Sequence, residues 1–187
     1  MKCDLVVIGA GPSGLWAAKT AAGFGLDVVI LEEHLAVGLP KSCSGWLLGC
    51  EFTRGLLPQL KYGMPRRAVS RMLVMDAVSR QVVEEVEEGA RGGYLLPRDV
   101  IDRELARLAI QSGARLFVNV RADALIKEDG IVKGVKTSSR WLPEVRAHVA
   151  ICADGKSSAT EKGFARREIA LADECETYAG TLVELVG

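Results

Sequence analysis

"DLVVIGAGPSGLWAAKTAAGFGLDVVILEEH", residues 4–34, decides how the rest of the chain is read. Leu5 to Ile8 is a short apolar run rich in β-branched residues, the pattern of a strand buried on both faces. Ser13 to Phe24 is rich in alanine and reads as a helix, and Asp27 to Leu31 reads as a second strand. The result is a βαβ unit with Gly9, Gly11 and Gly14 at its first turn. Gly9 permits the tight turn, Gly11 leaves a pyrophosphate room to approach the backbone, and Gly14 lets the helix pack closely on the strand. The helix N-terminus offers free N–H groups and partial positive charge to phosphates. Glu32 stands eighteen residues after Gly14, at the end of the second strand. A carboxylate there can accept hydrogen bonds from both hydroxyls of an adenosine ribose. With the strand before, the helix after and the acid at this distance, dinucleotide binding is favoured over a chance Gly-rich turn. The motif does not separate FAD from NAD. Glu32 argues against NADP, whose 2′-phosphate it would repel.

The bounds of the chain agree with one sizeable α/β domain, or one domain with part of another. It has 187 residues, is 49% hydrophobic and 26% charged, and balances 24 Lys+Arg against 24 Asp+Glu. Zero net charge gives no electrostatic case for nucleic acid. Met1-Lys2-Cys3-Asp4 leads straight into the first strand with no signal-peptide pattern, and no apolar run is long enough to span a bilayer. The five cysteines are scattered without CxxC spacing, which fits reduced thiols in a cytoplasmic protein better than disulfides or a metal site. His34 and His148 lack ligand-like neighbours in sequence and read as solvent-facing or hydrogen-bonded imidazoles.

Residues 35–68 open as a loop, "LAVGLPKSCSGWLLGC", broken by Gly38, Pro40 and Gly45. A loop of this length inside an α/β domain is more often functional than idle. A helix-like patch follows, with Trp46, Leu47, Phe52, Leu56, Leu57 and Leu60 as its apolar residues. β-like runs at Met72–Met75, Gln81–Val86 and Tyr94–Leu96 suggest antiparallel strands inserted between the second and third strands of a parallel sheet. "PRDVIDRELARLAIQSGARLFVNV" returns to α/β character. Asp99 is its candidate N-cap, Ile101, Leu105, Leu108 and Ala109 its apolar face, Gly113 its stop, and Leu116–Val120 the next strand. Ile131 to Val135 and Val145 to Ile151 read as the two arms of a hairpin. The second arm breaks into Asp154-Gly155, at the C-terminal end of a strand, where α/β proteins bind ligands. An ordinary Asp-Gly turn is the competing reading.

The order of these motifs, "VVIGAGPSGLWAAKTAA", "VVILEEH", "VGLPKSCSG", "YLLPRDVIDRELARLAIQSGA" and "VAICADGKSS", resembles the geranylgeranyl reductase family. These are FAD-dependent flavoproteins that saturate double bonds of isoprenoid chains, including those of membrane ether lipids, and are relatives of the aromatic hydroxylases and squalene epoxidases. The VGxPxxC loop is the discriminating piece. The resemblance implies that Ser13 and Glu32 contact the adenosine-phosphate half of FAD. It further implies that Cys43, Ser44 and Gly45 lie near the flavin ring, and that Arg98 reaches the phosphate or ribityl region. Ala122 would line the adenine side through its backbone, and Asp154 would sit near the pyrophosphate. Where many members carry Cys-x-Glu-Gly, this chain has Cys43-Ser44-Gly45-Trp46. Cys3, Cys50, Cys152 and Cys175 are assigned to packing, and Cys43 is a weak candidate for a chemical role beside the flavin.

The fold expected is a Rossmann-type FAD-binding α/β domain: a parallel central sheet, a β-hairpin or meander crossover, and an inserted antiparallel segment from an incomplete substrate domain. Residues 1–68 and 98–174 would form the FAD-binding domain, and 69–97 and 175–187 the substrate-domain segments. Family members continue past the point where this chain stops, in an apolar alternating run near Thr181–Val186 that reads as a strand, so the chain is expected to be an N-terminal portion. The function expected of its parent is reduction of isoprenoid lipid double bonds, with NAD(P)H or ferredoxin as donor and peripheral contact with a membrane. A flavin monooxygenase or quinone-linked flavoprotein on the same scaffold, or a non-catalytic nucleotide-binding fragment, are the alternatives.

Overall fold

A strand that is apolar on both faces needs neighbours on both edges and cover on both sides, and the opening residues receive them. The computed structural model describes residues 1–41, 43, 45–48, 50–60, 67–69, 71–75, 78–87 and 93–155. These divide into two compact units, one made of Met1–Pro40 with the chain from Asp102 onward, the other of Lys41–Ile101.

The first unit begins β1 (Lys2–Ile8), α1 (Pro12–Gly23), β2 (Val28–Leu31). The second unit contains β3 (Trp46–Leu48), α2 (Glu51–Leu56) with a 3₁₀ turn at Leu57–Gln59, β4 (Arg67–Val69), β5 (Arg71–Met75), β6 (Val82–Glu87) and β7 (Gly93–Leu95). Helix α3 (Arg98–Gln111) leads back into the first unit, which closes with β8 (Arg115–Phe117), β9 (Ala122–Glu128), β10 (Ile131–Thr137) and β11 (Glu144–Cys152).

The six-stranded sheet of the first unit has the order β8-β2-β1-β11-β10-β9. β8, β2, β1 and β11 run parallel, and β10 and β9 extend the sheet antiparallel beyond β11. β1 is central, so Val6 and Val7 are both completely buried, as are Val28, Val29 and Ile30 of β2. On one face Val6, Ile8, Val29 and Leu31 form a core with Val120, Ala122, Val135, Leu142, Val145 and Ala147. Buried Leu15, Ala18 and Ala22 give α1 its inner face.

Both long helices stop the same way. Gly25 (φ +86°) and Gly113 (φ +108°) take the left-handed conformation. Leu26 N–H reaches back to Ala21 O and Ala114 N–H to Ala109 O, at 3.3 and 3.0 Å, so each glycine supplies a Schellman ending. In α3, Ile101, Leu105 and Ala109 are buried as the periodicity requires. Asp99 lies inside the first turn of α3 rather than ahead of it as its N-cap.

Two further local expectations are corrected and two are completed. Trp46 and Leu47 belong to a strand, not to the helical patch: β3 pairs antiparallel with β7, Trp46 opposite Leu95. The same β7 also pairs with β4, which sequence patterning had not marked. The strand placed at Leu116–Val120 is β8, which ends at Phe117; the chain turns at Asn119 (φ +56°), whose N–H donates to His34 O at 2.9 Å. Of the hairpin or meander expected, the structure has the meander: the two arms read from sequence are β10 and β11, and β9 precedes β10 through a two-residue Asp129-Gly130 turn with φ of +51° and +78°, the signature of a type I′ connection. The strand expected near Thr181–Val186 lies outside the described residues.

Candidate functional site

Parallel strands β1, β2 and β11 end on the same side of the sheet, and the residues that follow them converge there. Gly9 N–H donates to Leu31 O and Ala153 N–H to Ile8 O, both at 2.8 Å, so the three strand ends are laced together. Gly9 has φ +98°, and a Cβ on it would collide with the carbonyl of Ala153. A Cβ on Gly14 would overlap the carbonyl oxygen of Gly9 and come within 3.2 Å of Val7 Cγ1 and Ala153 Cβ. These two glycines are required by the chain's own packing, one for the turn and one for the close approach of α1 to β1.

Gly11 is different. Its backbone is extended (φ −78°, ψ 175°), a conformation open to any residue, and a Cβ on it would meet nothing within 4 Å among the described residues. It is the N-cap of α1, yet no side chain among the described residues caps that helix, no acid stands in its first turn, and Pro12 occupies the first helical position. The amides of Ser13 and Gly14 are among the first-turn donors that an α-helix cannot satisfy internally. A positively polarised helix start thus stands behind a glycine whose Cβ position is open among the described residues and which the fold itself does not demand.

Glu32 follows β2 and is only 8% exposed. Its carboxylate is held from the backbone: Oε2 accepts from Ala10 N–H at 2.8 Å, and Oε1 from His34 N–H at 3.0 Å. The His34 ring adds a third contact, Nδ1 lying 2.6 Å from Oε1. The main chain here is pinned as well. Glu32 N–H donates to Phe117 O at 2.9 Å, and Val120 N–H to Glu32 O at 2.8 Å. The residues after β8 therefore clamp the acid in place. Ala122, two residues past Val120, is buried and opens β9 opposite Thr137. Asp154 is half-buried and follows Ala153 directly, its Cα 3.0 Å from a Cβ placed on Gly9. Gly9, Gly11, Ser13, Gly14, Glu32, Ala122 and Asp154 all lie in this first unit.

The remaining candidates belong to the second unit. Gly45 has φ +83°, and a Cβ there would overlap the carbonyl oxygen of Leu96 and lie 3.6 Å from Arg98 Cγ. The two segments are joined by Leu96 N–H donating to Gly45 O at 3.0 Å. The Pro/Gly loop is thereby packed against the start of α3, and Lys41 Nζ pairs with Asp99 Oδ1 at 3.0 Å. The indole N–H of Trp46 is buried and has no acceptor among the described residues. Cys43 is exposed, and Ser44 lies outside the described residues.

The cysteines separate by environment. Cys3 is buried, its thiol donating to Arg146 O at 3.6 Å; burial, aided by the Asp27 carboxylate, pushes it up to about 11. Cys50 and Cys152 are exposed rather than packed, because one precedes α2 and the other ends β11 where sheet cover stops. Cys175 lies outside the described residues. His34, read from sequence as a solvent-facing or hydrogen-bonded imidazole, is bonded to Glu32; the signal for that place in the site was its position two residues beyond the acid. No group of His, Cys, Asp and Glu among the described residues could hold a metal ion, and no helix among them is long and apolar enough to cross a membrane.

Residues 4–163 match the family model described as FAD dependent oxidoreductase. The digeranylgeranylglycerophospholipid reductase of Methanothrix thermoacetophila is 37% identical over 159 residues, covering 84% of this chain and 40% of that one. The enzyme of the same name from Methanoculleus marisnigri is 37% identical over 166 residues, covering 88% and 40%. Among solved structures, a geranylgeranyl bacteriochlorophyll reductase-like protein from Thermoplasma acidophilum superposes with a TM-score of 0.75 at 30% identity, over 87% of this chain and 41% of that one. The chain spans about two fifths of the length of these curated relatives.

Proposed function

The chain belongs to the FAD dependent oxidoreductase family, and from that premise we propose that it supplies the adenosine- and pyrophosphate-binding part of a reductase acting on isoprenoid lipid double bonds. The observation that carries the reading is Gly11. Among the described residues nothing in the fold requires a glycine there, and a pyrophosphate crossing the start of α1 does.

The residues present fit an adenine dinucleotide. Ser13 and Gly14 N–H groups would donate to phosphate oxygens, and the α1 N-terminus favours their negative charge. Glu32, held by Ala10 and His34, would accept from the adenosine ribose, and Ala122 would border the adenine through its main chain. Asp154 would stand beside the phosphates at the Gly9 turn. In the second unit, Arg98 would bring a cation to the phosphate or ribityl region, and Cys43, Ser44 and Gly45 would border the ring. When bound, FAD supplies hydride-transfer chemistry, and the protein supplies placement and polarity. The isoprenoid substrate is supported by similarity to two digeranylgeranylglycerophospholipid reductases at 37% identity. NAD(P)H or ferredoxin as donor, and peripheral contact with a lipid surface, complete the reading for the parent enzyme.

The 187-residue chain should bind FAD weakly and with little preference over ADP, because the groups named grip mainly the adenylate end. It should not reduce a polyprenyl substrate by itself. FAD and ADP titrations with a turnover assay test this. Stoichiometric FAD with a large preference over ADP, or measurable alkene reduction, would overturn the assignment of an adenylate-end portion. Failure to bind either ligand would overturn the site.

A further inference from the structure

We propose that His34 is a specificity-determining residue of this site: its imidazole occupies the position on Glu32 Oε1 that a second ribose hydroxyl would need, so that Glu32 reads one hydroxyl, through Oε2. The proposal rests on the reading of Glu32 as the ribose acceptor.

An ionised carboxylate offers about four lone-pair sites, two on each oxygen. Three are already engaged here. Oε1 takes the His34 main-chain N–H at 3.0 Å and the His34 ring Nδ1 at 2.6 Å, and Oε2 takes Ala10 N–H at 2.8 Å. The two backbone donors, one on each oxygen, suffice to fix the plane of the carboxylate. The ring therefore adds occupancy rather than orientation. A carboxylate accepts only, so Nδ1 carries the proton it donates. The other ring nitrogen, Nε2, lies 3.9 Å from Glu33 Oε1, which gives the imidazole a carboxylate on each side and a reason to stay. The His34 side chain is 44% exposed while that of Glu32 is 10% exposed, so the ring is the outer group and covers the acid from the solvent side. The expectation of two hydroxyls accepted by Glu32 then becomes one.

The experiment compares ADP, 2′-deoxy-ADP and 3′-deoxy-ADP by calorimetric titration of the full chain. The proteins are wild type, His34→Phe, His34→Ala and Glu32→Gln, each checked for folding by thermal unfolding. In wild type, one deoxy analogue should lose about tenfold or more in affinity, the scale of one hydrogen bond to a charged group, and the other should bind within about threefold of ADP. In both His34 variants the previously silent hydroxyl should become worth several-fold, and ADP itself should bind several-fold tighter. Two penalties of equal size in wild type would show that the ring yields to the ligand, and would overturn the proposal. So would His34 variants that weaken all three ligands by one common factor, the mark of a merely structural residue. If Glu32→Gln leaves the deoxy penalties intact, the ribose reading of Glu32 itself is wrong. If it erases them while the His34 variants match wild type, only the role of His34 is wrong.

Discussion

Two glycines three residues apart should fail in opposite ways. A methyl group on Gly14 would overlap the Gly9 carbonyl oxygen and crowd Val7 and Ala153 at 3.2 Å. None of these is the free end of a flexible side chain, so α1 must back away from β1. Forcing extra volume into a packed contact costs about 1–3 kcal/mol, and the main-chain clash puts Gly14→Ala near the upper end. The better helix propensity of alanine returns up to about 1 kcal/mol, leaving a net loss of about 2 kcal/mol. In a chain of this size that lowers Tm by about 4–8 °C. Gly11→Val places its side chain in space left open by the described residues, on an extended backbone, but valine is a poorer N-cap than glycine by up to about 1 kcal/mol, so the unliganded protein should melt no more than about 4 °C below wild type. Its affinity for ADP should nevertheless collapse, because the isopropyl group fills the space proposed for the pyrophosphate. Thermal unfolding and ADP titration of the two variants form the assay. A Gly11→Val protein that binds ADP normally would show that phosphate does not pass there, and a Gly14→Ala protein that melts like wild type would refute the packing argument.

Glu32→Lys should weaken ADP and FAD binding at least tenfold, since it replaces an acceptor by a donor and a cation, and titration decides it. Gly45→Ala should disrupt the pairing of β3 with β7, because φ +83° and the Leu96 carbonyl both reject a side chain; faster amide exchange at Trp46–Leu48, with protection in β1 and β2 unchanged, is the expected readout. At pH 8, iodoacetamide should modify Cys43, Cys50 and Cys152 well before Cys3, whose thiol is buried and pushed up to about 11; peptide mass spectrometry reads the order. The same shift has a stability consequence. A thiol raised in the folded state contributes in full below its unfolded value of 9.0, and that contribution is lost as pH rises through about 11. Denaturant midpoints should therefore fall between those limits in wild type, and fall less in Cys3→Ala.

The parallel heart of the sheet was legible because its signals are local and redundant: three glycines at fixed spacing, apolar runs without alternation, and an acid at the strand end. Gly113 was legible for the same reason, since a helix stop is written in one residue. Trp46–Leu48 misled because a three-residue strand has no period of its own and forms only by meeting Gly93–Leu95, far along the chain. β9 escaped because as an edge strand it keeps Asp123, Lys127 and Glu128 exposed, and this polarity hid a strand that the Asp129-Gly130 turn should have announced. At the site, the spacing already gave Gly9 the turn, Gly11 the room for a pyrophosphate and Gly14 the helix packing, but not the groups that enforce these roles. The Ala153 carbonyl that excludes a side chain at Gly9 follows β11, far along the chain. The partner of His34 was hidden for a related reason: its ring reaches Glu32 only because the backbone after β2 turns back on itself.

The pairing of β1 with β11 also sets a timetable. Cys3 and Arg146, in neighbouring strands, are 143 residues apart in sequence. At about 5–20 residues per second, a ribosome takes on the order of 10–30 s to deliver the second after the first. During that interval β1 can pair with β2, but its other edge stays open, and the Ala153 carbonyl against which Gly9 is seated does not yet exist. The proposed nucleotide cradle, begun by Gly9, Gly11, Gly14 and Glu32, is thus completed only when Ala153 and Asp154 have been made. Newborn chains must shelter an apolar open-edged strand until then, and loading with cofactor belongs after synthesis of this domain rather than during it.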